Sequence, residues 1–85
     1  MTSSVRILLF AKAREAVGAS SLDRSVPVRG STVAAVLSGL VKEHPRLGPV
    51  LKVSRIVRNG EYLRGSRARV APGDEIAVHP PYSGG

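Results

Sequence analysis

The chain has 85 residues, no cysteine and a formal charge of +7, with 42% hydrophobic residues. That length allows one small domain, and that apolar content excludes a chain too polar to fold. Without cysteine, a disulfide framework, a thiolate metal site and a cysteine nucleophile are all excluded within it. The positive charge raises an acidic partner or nucleic acid. Its basic residues are scattered, however, with Arg64, Arg67 and Arg69 the tightest group. Three Phe and Tyr residues are few for stacking on bases, so nucleic acid is not the expected partner. A solvated basic surface that suits an acidic protein is the plainer reading.

In chain order, "SVRILLF" alternates, with Val5, Ile7 and Leu9 on one face. Leu8 and Phe10 then fall on the opposite face beside Arg6. "AKAREAVG" predicts about two helical turns stopped by Gly18. "SLDRSVPV" predicts a second strand with Leu22, Val26 and Val28 as its apolar content, and Pro27 suggests an edge or a strand end. "STVAAVLSGLVKEHP" predicts the main helix, capped by Ser31 or Thr32 and ended before Pro45. Val33, Val36, Leu37, Leu40 and Val41 form its apolar stripe. "RLGPVLKV" reads as a loop anchored by Leu47, Val50 and Leu51.

Asn59-Gly60 lies between two β-prone pieces and predicts a hairpin with a type I′ turn. Pro72-Gly73-Asp74 predicts a further turn, followed by a strand from Glu75 to His79 with Ile76 and Val78 inward. One helix across one mixed sheet is an α+β arrangement. The first and last strands are expected to be central neighbours. No stretch approaches the roughly 20 apolar residues of a membrane-spanning helix. The opening "MTSSVRILLF" lacks the length and cleavage site of a signal peptide, so a cytoplasmic location is expected and no membrane partner.

The end, "HPPYSGG", carries the functional signal. Pro80 and Pro81 hold the backbone near polyproline II, so the tail leaves its strand stiffly. Six residues, Pro80 to Gly85, span roughly 20 Å at about 3.3 Å each. Ser83, Gly84 and Gly85 have little side-chain girth and suit a narrow channel. A terminal carboxylate is an anion at neutral pH and a poor electrophile. Chemistry at Gly85 therefore needs activation, most simply as an acyl-adenylate formed with ATP. No phosphate-binding loop is present, so the ATP belongs to a partner.

"PGDEIAVHPPYSGG", residues 72 to 85, resembles the C-terminus of the small subunits of molybdopterin synthase. These form the MoaD branch of the MoaD/ThiS ubiquitin-like sulfur carriers. "LLFAKAREAVG" and "HPRLGPVL" are similar to the family's first strand with its turn and to the region after its helix. The resemblance implies a β-grasp fold, with a domain over residues 1–79 and an extended tail over 80–85. It implies that Gly85 is adenylated by an enzyme similar to the ubiquitin-activating class and becomes a thiocarboxylate. Pro80, Pro81, Tyr82, Ser83 and Gly84 would then line up in a partner's channel. The implied partners are a large subunit, the adenylating enzyme and a sulfurtransferase or other sulfur source. The implied acceptor is a pyranopterin precursor of the molybdenum cofactor. Family members often carry an apolar residue at the position of His79 and a small aliphatic one at Tyr82. Sulfur delivery to thiamine, tRNA, an amino acid or a secondary metabolite stays open, as does a ubiquitin-like modifier.

No constellation of catalytic residues is present, and catalysis is expected in the partners. His44 and His79 are too few for a histidine-only metal site, and no metal or bound cofactor is expected. His44 reads as a helix C-terminal residue. Asp74 and Glu75 read as turn and strand-start residues. Leu8, Phe10, Val57 and His79 share the outward phase of their strands and are the expected partner interface.

Overall fold

A computed structural model describes residues 3–65 and 67–81. Alternation decides the first strand, β1 (Ser4–Leu9). Val5, Ile7 and Leu9 are buried, Arg6 is exposed and Leu8 is half-buried. Helix α1 (Ala11–Val17) ends at Gly18, whose φ of 87° closes the last turn as glycine allows. Strand β2 (Ser21–Ser25) runs back antiparallel to β1, from Ser4↔Ser25 to Leu8↔Ser21. The predicted strand is thus shortened. It stops before Pro27, whose carbonyl accepts a 2.8 Å hydrogen bond from the Gly30 N–H in a tight turn. Val26 is buried, but Val28 is 82% exposed, because the turn carries it away from the core.

A short strand, β3 (Ser31–Thr32), precedes helix α2 (Val33–Glu43). The Thr32 Oγ1 accepts from the Ala35 N–H at 3.1 Å, so the cap forms as expected. Val33, Val36, Leu37 and Leu40 are buried against the sheet, and Val41 is half-buried at the edge of the stripe. His44 ends the helix as its C-cap and donates its N–H to the Leu40 carbonyl.

Residues Leu47–Val53 form a third helix, α3, where a loop is expected. Pro49 is compatible with it. The residue falls in the first turn, where helical N–H groups have no partner and a missing one costs nothing. Leu47 is fully buried and Val50 and Leu51 are half-buried, one helical turn along the same face.

Strands β4 (Arg55–Arg58) and β5 (Glu61–Leu63) make the hairpin. Asn59 and Gly60 have φ of 49° and 84°, as a type I′ turn requires. Strand β6 (Arg69–Val70) pairs with β3 in a separate two-stranded piece. That pairing needs Gly30: a Cβ there would lie 2.6 Å from the Val70 carbonyl oxygen, at a φ of +91°.

Strand β7 (Glu75–His79) completes the five-stranded sheet, in the order β2-β1-β7-β4-β5. It pairs parallel with β1 and antiparallel with β4. The first and last strands are therefore adjacent and interior, and α2 covers one face of the sheet. Asp74 organises the turn before β7. Its Oδ2 accepts the Ala71 N–H at 2.8 Å and its Oδ1 accepts from the Asn59 amide at 3.1 Å. These bonds, the Ala71 one first, hold its carboxyl below the usual carboxylate range.

Candidate partner face at the tail root

The face of the sheet turned away from α2 is built by register. Leu8 lies opposite Ala77, Ala77 opposite Val57, and Val57 opposite Tyr62. This puts an apolar row across four strands. Leu8 and Val57 are half-buried, Ala77 is buried between them, and Tyr62 is 56% exposed at the end. One row nearer the C-terminal end of β7, Arg55 lies opposite His79.

Phe10 joins that second row. It caps α1 with an extended backbone (φ −117°, ψ 152°), and its N–H donates to the Val78 carbonyl at 3.3 Å. Strand geometry thus persists one residue past Leu9. Ala11 then turns the chain away at a φ of 49°, a left-handed conformation that strains a residue with a Cβ. The result is a Phe10 ring stacked on the His79 imidazole, with centroids 4.5 Å apart and planes 10° apart. The expected neighbours therefore meet, and Phe10 remains 42% exposed.

Beside this stack, the Arg55 guanidinium sits over the Tyr62 ring, 5.7 Å from its centroid. Pro80 and Pro81 leave β7 here. They form one wall of a surface depression whose other lining includes Val53, Arg55, Val57, Tyr62 and His79. A second, more apolar groove shares Val53, Pro80 and Pro81 with it and is otherwise lined by Lys12, Pro49 and Val50. The root of the tail thus borders both the sheet face and residues of α1 and α3. Tyr82, Ser83, Gly84 and Gly85 lie outside the described residues.

Leu8, Phe10, Val57 and His79 share one face as expected. Sequence reasoning missed Arg55, Tyr62 and Val53. The first two were within reach. A two-residue Asn-Gly turn pairs Arg58 with Glu61 and hence Val57 with Tyr62, and Arg55 has the phase of Val57. Val53 was hidden by reading α3 as a loop. It ends that helix 62% exposed, next to Pro81. Among the described residues, no three His, Cys, Asp or Glu side chains group as metal ligands. No described helix is long and apolar enough to cross a membrane.

The pattern of the ThiS family matches residues 7–85. The chain belongs to that family. It is 36% identical to a molybdopterin synthase sulfur carrier subunit of Dictyostelium discoideum, covering 100% of both chains. It is 43% identical to one of Arabidopsis thaliana, over 99% of this chain and 88% of the relative. Among solved structures, it resembles SAMP1, the small archaeal modifier protein 1 of Haloferax volcanii. That likeness has a TM-score of 0.82 at 33% identity and covers 96% of this chain and 99% of the other. The architecture is the ubiquitin-like β-grasp fold: a mixed five-stranded sheet crossed by α2, in an α+β chain. The family pattern runs through Gly84 and Gly85.

Proposed function

We propose that this chain is the sulfur carrier subunit of a molybdopterin synthase. Residues 1–79 serve as the recognition body and residues 80–85 as the reactive tail. The carrying observation is the place of β7. This strand is held on both sides, by β1 and by β4, so the point where Pro80 leaves the sheet is fixed relative to the outer face. A partner that grips this face can receive Gly85 at a reach of at most roughly 20 Å from that point. The likeness over full length to relatives named as such subunits supports the same reading.

On this reading the Gly85 carboxylate attacks ATP in an adenylating enzyme, and pyrophosphate leaves. A sulfur nucleophile then displaces AMP: hydrosulfide gives the thiocarboxylate directly, whereas a sulfurtransferase persulfide gives an acyl disulfide that a thiol reduces to it, the thiol being oxidised to a disulfide. The resulting thiocarboxylate is inserted into a large subunit and gives its sulfur to a pyranopterin precursor. The chain itself binds no cofactor and contributes no catalytic side chain. The ATP and the catalytic groups are the partners'. The work of this domain is presentation, and it takes place in the cytoplasm.

Intact mass spectrometry of the native chain tests the reading. The expected result is a fraction in which one C-terminal oxygen is replaced by sulfur, and its loss on deletion of Gly85. Gly84→Ala is expected to reduce sulfur transfer strongly at an unchanged Tm, since an added methyl obstructs a narrow channel. A chain that never gains sulfur in the presence of ATP, activating enzyme and sulfur source would sink the proposal.

A second reading, a ubiquitin-like modifier, is favoured by the likeness to the archaeal modifier protein. It uses the same tail and the same activation. It predicts a stable amide between Gly85 and lysines of other proteins, which the same mass measurements separate from a thiocarboxylate.

A further inference from the structure

We propose that Arg55 and His79 form a seat for a carboxylate side chain of the protein that receives the tail. This rests on the carrier reading above and names a chemical feature of the partner.

The two residues stand directly opposite each other on β4 and β7, both on the outer face. Cross-strand partners have Cβ atoms about 4.5–5.5 Å apart. The Arg55 guanidinium and the His79 ring N–H therefore stand side by side, and an anion between them takes hydrogen bonds from both. The chain supplies none within its described residues. The depression at the tail root and the neighbouring groove contain no Asp or Glu among their lining residues. The two ion pairs of the described residues, Arg6–Asp23 and Arg24–Glu43, lie elsewhere.

Both groups are set in place from one side. The Phe10 ring covers one face of the imidazole, and the Tyr62 ring lies against the guanidinium. An aromatic ring on the face leaves the N–H donors at the edge free to donate. Arginine's planar fork matches a carboxylate with two parallel hydrogen bonds, so its fit is to an acid and not to a neutral amide. The floor beside it is the apolar row of Val57 and Ala77. A partner that covers this row also excludes water from the ion pair, which strengthens it beyond a surface pair.

Position selects the occupant. The depression is walled by Pro80 and Pro81, so a protein that swallows the tail must cover it. The occupant is therefore an Asp or Glu of that protein, set in apolar surroundings that meet Leu8, Ala77 and Val57. His79 stands opposite Arg55 and stacks on Phe10, and the depression it lines has no carboxylate among its lining residues.

The test is calorimetric titration of the full chain with the molybdopterin synthase large subunit of the same organism. Arg55→Ala is expected to weaken binding roughly tenfold or more, and Arg55→Lys to recover only part of it. His79→Phe keeps a ring against Phe10 but removes the N–H donor. It is expected to weaken binding less than Arg55→Ala does, because one hydrogen bond is lost and the guanidinium fork remains. The Tm of each isolated variant should stay close to that of the parent. If the parent binds and both Arg55→Ala and His79→Phe leave the affinity unchanged, the seat is wrong and the carrier reading stands. If Arg55→Ala tightens binding, the chain's own terminal carboxylate occupies the seat, and the proposal is overturned. If the parent itself does not bind, the carrier reading and the seat fall together.

Discussion

The two faces of the central sheet are made from the same strands, often from adjacent residues, yet they answer to different demands. On the inner face Val5, Ile7, Leu9, Ile76 and Val78 are almost wholly removed from water beneath α2. On the outer face Leu8 and Val57 are only half-buried, and Phe10 and Tyr62 are largely exposed. The inner face is chosen for shape and volume, and stability is its product. The outer face mixes apolar, aromatic and cationic groups that no part of the described chain covers. In a domain this small the inner layer has little stability to spare. Leaving large apolar groups outside therefore requires a use for them.

Substitutions on the two faces sharpen this contrast. Ile7→Ala should cause the largest loss of folding stability, about 2–5 kcal/mol by chemical denaturation, because it opens a cavity under α2. Gly30→Ala comes next, at about 1–3 kcal/mol, since it combines a positive φ with a clash against the Val70 carbonyl. Phe10→Ala should cost the isolated domain about 1 kcal/mol or less but weaken binding to the tail's receiver by about 2 kcal/mol. If it instead unfolds the chain as Ile7→Ala does, the division into a stability face and a recognition face is broken. Ala11→Gly should raise stability by about 0.5–1 kcal/mol, because it relieves the left-handed strain that keeps Phe10 outward.

The smallest effect is an acid one. The Asp74 carboxyl is held below its ordinary range in the folded state by the Ala71 N–H and the Asn59 amide. Its contribution is therefore full above the ordinary carboxylate pKa and is lost as pH falls through the lowered one. Asp74→Asn should flatten the acid limb of a Tm–pH curve while leaving outer-face binding unchanged.

Much of this was legible from residue order. Period-two alternation gave β1 and β7, the stripe from Val33 to Val41 gave α2, and Asn59-Gly60 gave the hairpin with its register. Those signals are local, because the side chains that carry them face one way over consecutive residues. Helix α3 was not legible, since Gly48 and Pro49 read as loop residues. Pro49 is tolerated only because it falls in the first turn, which needs the helix start to be known. The exposure of Val28 depends on where the turn after Ser25 points, and the β3–β6 pairing joins residues far apart in sequence. Of the outer face, Leu8, Phe10, Val57 and His79 followed from strand phase. Arg55 and Tyr62 follow from the register of the Asn59-Gly60 hairpin, and only the pairing of β4 with β7, which sets Arg55 opposite His79, required the structure.

Strand β7 has one more consequence, and it is mechanical. On the proposed function, a partner that draws the tail into its channel would pull on Pro80. Tension on Pro80 runs along β7, whose hydrogen bonds to β1 and β4 lie across the direction of pull. Such a load falls on both ladders at once, in shear, and does not peel bonds away one by one as it would from an edge strand. The tail can therefore be drawn on hard without unravelling the domain behind it, and the partner meets a handle anchored through the middle of the sheet.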